Sequence, residues 1–170
     1  SGAAREIELQ TLRWVGELVG YPAAGGAFTS GGMVSTLTAL VCARTRALPR
    51  SREDGVIGTP GAFYTGVEGH SSIERAVEVL GFGQRALRSI PLDEHRRMRI
   101  DLLREAIAAD VAAGITPIAI VASAGTTLTG AVDDLAAAAD VAAEFGVWLH
   151  VDGAYGLAAA ATERARPLFA

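Results

Sequence analysis

Two apolar runs constrain this chain more than anything else in it. Pro117–Ser123 reads PIAIVAS and Val147–Val151 reads VWLHV, each bounded by turn signals. A strand with one wet face alternates apolar and polar residues. A continuous short run is how a strand buried on both faces reads, and such strands belong to parallel sheets with helices on either side. The segments around them carry helical periodicity. Ile7, Leu9, Leu12, Trp14, Val15 and Leu18 form a stripe that predicts a helix over Ala3–Val19, stopped by Gly20, Tyr21 and Pro22. Further helices are expected over Met33–Leu48, Ser71–Leu80 (capped by Ser71 or Ser72), Arg99–Ala113 and Asp133–Phe145. Ala62–Thr65 and Ala86–Ile90 are candidate short strands, and Arg50–Gly61 is expected as an exposed loop. Strands alternating with helices imply an α/β fold with a mostly parallel sheet.

The formal net charge of −4 argues against a general nucleic-acid or membrane-surface binder. No apolar run is long enough to span a bilayer and no charged-then-apolar leader opens the chain, so a cytoplasmic protein is the default expectation. All 15 cationic residues are arginines, in runs that read as solvated faces; the chain contains no lysine. Cys42 is the single cysteine, on a helix position that suits a buried, inert thiol. His70, His95 and His150 lack the spacing of a metal site, and neither Ser30 nor Ser123 sits in G-x-S-x-G.

Four short constellations could carry chemistry. Thr29-Ser30-Gly31-Gly32 opens a helix, where glycines admit an anion close to unpaired N–H groups; the same string is also a plain turn with a cap. Asp152 follows a buried strand, the position where open α/β sheets hold ligands, or else it caps the next turn. His70 lies between a short strand and a helix, free to stack on a planar ligand or to sit on the surface. Gly125-Thr126-Thr127 directly follows PIAIVAS, with hydroxyls that could orient a ligand or satisfy the loop backbone.

Taken in order, GAFTSGGMVSTLTALVCAR, EGHSSIERAVEVLGF, PIAIVASAGTTLTGAVDDL and VWLHVDGAYG resemble the group II pyridoxal-phosphate (PLP) decarboxylases of amino acids. The resemblance implies an aspartate-aminotransferase-like large domain, a homodimer, PLP as cofactor and an amino acid as substrate. It implies a phosphate loop around Ser30, Gly31, Gly32 and Met33, His70 over the cofactor ring, and Ala154 against its other face. Asp152 would partner the pyridine nitrogen, with Thr127 near both and Asp133 and His150 just behind. Residues 1–22 would be a leading helix and 23–170 the cofactor-binding core. Met33 stands where relatives commonly carry Thr or Ser, Thr36 where many carry Asn, and Gly156-Leu157 where Gly-Gly often stands. The family's Schiff-base lysine lies about thirty residues past the Asp152 position. The expectation is therefore a piece that lacks the rest of the large domain and the small domain, inactive alone. Aldehyde synthases and carbon–carbon lyases of the same fold, or a non-catalytic binding module, remain alternative readings.

Overall fold

The computed structural model describes residues 2–21 and 25–169. In chain order it contains α1 (Gly2–Val19), α2 (Gly32–Ala47), α3 (Ser51–Asp54), β1 (Gly61–Gly66), α4 (Ser71–Val79) and β2 (Leu87–Ile90). There follow α5 (Ile100–Ala112), β3 (Thr116–Ser123), α6 (Leu135–Phe145) and β4 (Trp148–Asp152), then short 3-10 turns at Leu157–Ala161 and Arg166–Phe169. The expected helices and strands are all present, with ends displaced by one or two residues. The expected stop at Pro22 lies outside the described residues. Among the described residues no helix is long and apolar enough to cross a membrane.

The four strands form one sheet in the order β2-β1-β3-β4, and every ladder is parallel. The chain runs from β1 out to β2, returns past β1 to β3, and continues to β4. The connection therefore reverses direction beside β1, and a crevice opens at the carboxyl ends of β1 and β3. Pro117 cannot donate to a ladder. It pairs with Ala62 where the β1–β3 register slips, so that Ala62 faces Pro117 while Phe63 already faces Ala119. The irregularity puts the missing N–H where regular pairing is already broken.

Alternate residues of β1 and β3 feed two cores. Tyr64, Ile120 and Ala122 pack with Leu103 and Ile107 of α5 and Val141 of α6 on one face. Phe63, Ala119 and Val121 pack with Leu40 of α2 and Ile73 and Val77 of α4 on the other. This is the two-sided burial expected of PIAIVAS. It also explains Gly61: a Cβ there would stand 2.6 Å from Ile118 Cδ1 and 2.7 Å from Phe82 Cε1.

Four expectations need correction. VWLHV is not buried on both faces as PIAIVAS is: β4 is half-buried at every position, because among the described residues it pairs only with β3. Residues 50–61 are not simply an exposed loop, because α3 forms there and Ser51 and Val56 are buried. Cys42 is exposed: α2 buries Thr36, Leu40 and Ala43, and Cys42 falls off that stripe. The arginine runs are not uniformly solvated. Arg88 donates through Nε and Nη2 to Asp110 at 3.0 and 2.8 Å, and the buried Tyr64 hydroxyl donates to the same carboxylate at 2.8 Å. Desolvation pushes the Asp110 pKa up, but the hydrogen bonds from Arg88 and Tyr64 and the guanidinium charge outweigh it and hold it below the usual carboxylate range.

Candidate functional site

The crevice at the carboxyl ends of the strands holds a cavity of about 290 Å³. Four segments build it. From the α2 start come Gly32, Met33 and Thr36; from the β1–α4 turn, Glu68, His70 and Ser72. From the ends of β3 and β4 come Ser123, Gly125, Thr126 and Thr127, then Asp152, Ala154 and Tyr155. Of the residues singled out in the sequence, Gly32, Met33, His70, Thr127, Asp152 and Ala154 thus share one space. Ser30 and Gly31 do not line it; they lead into α2 from outside.

The α2 end presents open amides to the cavity. Its N-cap, Gly31, offers no side-chain hydrogen bond, so the first-turn amides of this 16-residue helix are left without a capping group. Ser35 N–H is the first to find a backbone partner, the Gly31 carbonyl. The helix dipole favours negative charge there. Gly32 admits close approach, since a Cβ at that position would meet only the Ala154 Cβ, at 3.6 Å. Thr36, one turn on, is buried beneath it.

His70 is the N-cap of α4, the role the sequence suggested for Ser71 or Ser72. Its Nδ1 accepts from Ser72 N–H at 3.2 Å and pairs with Ser72 Oγ at 2.9 Å. An acceptor Nδ1 leaves the proton of a neutral ring on Nε2. The cap thereby fixes the orientation of an imidazole in the cavity wall.

Asp152 is the last residue of β4 rather than a residue beyond it. Its Oδ1 accepts from Ala154 N–H at 3.1 Å, which turns the chain back toward the cavity. Ser123, its register partner on β3, also lines the cavity. His150 is not in the lining. It points to the same side of β4 as Asp152, two residues earlier, and desolvation lowers its pKa against the opposing pull of Asp152, so its ring is neutral at pH 7. Asp133 is a buried staple. Its Oδ1 accepts from Met98 N–H at 2.6 Å and its Oδ2 from Ser123 N–H at 2.8 Å, tying the β3 end to the segment before α5. Desolvation raises its pKa, and those two amide bonds oppose the rise.

Two glycines lock the β3 and β4 exits together. A Cβ on Gly125 would lie 2.6 Å from Gly156 Cα, and one on Gly156 would lie 2.4 Å from the Ala124 carbonyl oxygen. Gly125 also takes φ 100°, which disfavours any side chain. Glu68 and Ser72 line the cavity without having been singled out in the sequence for that role. The cap position of Ser72 was a findable signal; a single glutamate in a polar turn was not.

A doubly sided parallel sheet with a ligand cavity at its carboxyl edge, an open helix N-terminus and a strand-end carboxylate defines a cofactor-binding α/β domain. Comparison makes the class specific. The model of the pyridoxal-dependent decarboxylase conserved domain matches residues 1–169. An aromatic-L-amino-acid decarboxylase of Bacillus atrophaeus is 40% identical over 162 residues, covering 95% of this chain and 32% of that protein. The crystal structure of Oryza sativa TDC with PLP and tryptamine superposes with a TM-score of 0.92 at 36% identity, covering 99% of this chain and 37% of the other. The 4-hydroxyphenylacetaldehyde synthase of Rhodiola rosea gives the same TM-score of 0.92 at 28% identity, covering 99% and 38%. The chain belongs to the pyridoxal-dependent decarboxylase family. It spans about a third of the length of the curated relatives it matches.

Proposed function

We propose that the complete gene product decarboxylates an L-amino acid to an amine with PLP as cofactor, and that the cavity at the sheet edge holds that cofactor. The observation that carries this reading is the convergence of an uncapped helix start, His70, Asp152 and Ala154 on one space in a chain of this family.

The residues suit the group chemically. The open amides of the α2 first turn, at Gly32 and Met33, would take the phosphate; the Met33 thioether offers no donor, so the backbone bears that contact. Ser30 and Gly31 would act only by shaping the approach to that turn. His70 and Ala154 would bound the ring plane, the imidazole held by its cap bonds to Ser72. The Asp152 carboxylate would hold a proton on the pyridine nitrogen, and Thr127 would donate or accept beside it. When bound, PLP supplies an electron sink for the carbanion left by loss of CO₂. Asp152 supports that role by keeping the ring cationic. The 170 residues provide no lysine amine, so a covalent tether to the cofactor has to come from elsewhere in the assembled enzyme. The relatives' names fit an amino-acid substrate, and a homodimer belongs to the same reading. The division into a leading helix over 1–22 and a cofactor-binding core over 23–170 follows the same reading.

The test is product analysis. The complete gene product with PLP and a panel of L-amino acids is expected to release CO₂ and the matching amine. The likeness to the aldehyde synthase favours one second reading, in which an aldehyde accumulates instead. The isolated 170-residue chain is expected to yield neither, and PLP-dependent amine from it would overturn the tether argument.

A further inference from the structure

Arg96 has a positive φ of 65° and is the one non-glycine residue with positive φ among the described residues. The reason is local. Residues 92–98 form a tight hairpin: Leu92 bridges Met98, Asp93 N–H donates to Arg97 O at 2.8 Å, and Arg96 N–H donates to Asp93 O at 3.1 Å. The Asp93 carboxylate accepts from His95 and Arg97 N–H. A type I turn closed in this way needs a left-handed residue at the next position, and glycine supplies it without the Cβ clash that arginine incurs. Strain held at such a residue points to a role for its side chain.

The Arg96 guanidinium pairs with Glu68 Oε1, across to the β1–α4 turn. Glu68 is a cavity-lining residue, two positions before the capping imidazole, and its side chain is 13% exposed. Its second oxygen, Oε2, is buried with no hydrogen-bond partner among the described residues. A mostly buried carboxylate with one oxygen unsatisfied stays in place only while its single counter-charge holds it. Without Arg96 the carboxylate gains by swinging to water, and the turn carrying His70 swings with it. The hairpin can pull on that turn because its own base is anchored, through Met98 N–H on Asp133.

We propose that Arg96 is a positioning residue for the cofactor cavity: by clamping Glu68 it fixes the turn that presents His70. This rests on the PLP reading given above. The experiment measures the PLP dissociation constant of the complete gene product, stripped of cofactor, by equilibrium dialysis, together with the melting temperature of the stripped form. The variants are Arg96→Gly, Arg96→Lys, Glu68→Gln and the Glu68→Gln/Arg96→Gly pair. Arg96→Gly relieves the backbone, so the melting temperature is expected to hold or rise while PLP binds about tenfold more weakly. Arg96→Lys keeps a cation and is expected to recover part of that loss. Because the clamp acts as one unit, the double variant is expected to bind no worse than Arg96→Gly alone. An Arg96→Gly protein that binds PLP within about twofold of the parent overturns the proposal. So do losses that multiply in the double variant, which would also expose general destabilisation if the melting temperature fell. A parent protein that binds no PLP at all would instead overturn the proposed function.

Discussion

The middle of the sheet and its β4 edge are built for different ends. β1 is buried along its whole length and β3 over Ile118–Ala122, with helices on both faces. β4 is half-buried at every position and, among the described residues, pairs on one side only, with β3. Yet β4 carries Asp152, while the fully enclosed stretch of β3 sends no side chain into the cavity. The lesson is a division of labour within one sheet. Packing at the centre supplies rigidity, and the edge displays a carboxylate whose desolvation a fully buried strand would have made costly.

Measurements would break or sharpen this contrast, stability being read on the 170-residue chain and turnover on the complete gene product. The largest effect belongs to the centre. Ile120→Ala removes a fully buried side chain of β3 and is expected to cost about 3 to 4 kcal/mol in urea unfolding. Its register partner on β4, Leu149, is half-buried, so in the 170-residue chain Leu149→Ala is expected to cost about half as much; equal losses there would erase the contrast. Next comes Asp152→Asn, expected to lower kcat/KM by roughly a hundredfold with little change in the unfolding midpoint. A large stability loss with intact turnover would make Asp152 a structural residue.

A smaller effect tests the polar side of the centre. Tyr64→Phe removes the hydroxyl donor to Asp110 and is expected to cost about 1 kcal/mol at pH 7. Because the Asp110 pKa is depressed in the fold, the carboxylate's contribution is present above the unfolded carboxylate value. It is lost as pH falls through the folded one, so the parent protein should weaken there. The smallest effect returns to the edge. His150 has its pKa lowered by burial, so the unfolded chain takes up a proton first as pH falls below the ordinary histidine value, and stability declines. His150→Gln should flatten that decline below the ordinary histidine value in equilibrium unfolding.

Much of the frame was legible in the order of residues because burial writes itself as pattern. PIAIVAS could not be wet on either face, and Gly20 marked where the first helix had to stop. The pattern fails where small, apolar and hydroxyl residues are mixed around a helix. Around α2 the choice of buried stripe falls to Thr36, Leu40 and Ala43, which left Cys42 outside, and no periodicity within the helix announces it. The site was partly legible for a different reason. Gly32, His70, Thr127, Asp152 and Ala154 each sit at the end of an element, and elements of a parallel sheet bring such ends together. Glu68 and Arg96 stand far apart in the chain and meet through the shape of a hairpin tip, a pairing that neither segment betrays alone. The His70 cap was missed because serine is the commoner choice for that task.

The contact between Gly125 and Gly156 has a consequence for how this protein can change over time. Two backbones that touch leave no room for even one carbon, so neither position can drift independently, and any single-codon change away from glycine meets a wall. A deep mutational scan should record both as intolerant rows, though neither carries a functional group. Variation in what this family acts upon would therefore have to be written around that weld, never through it.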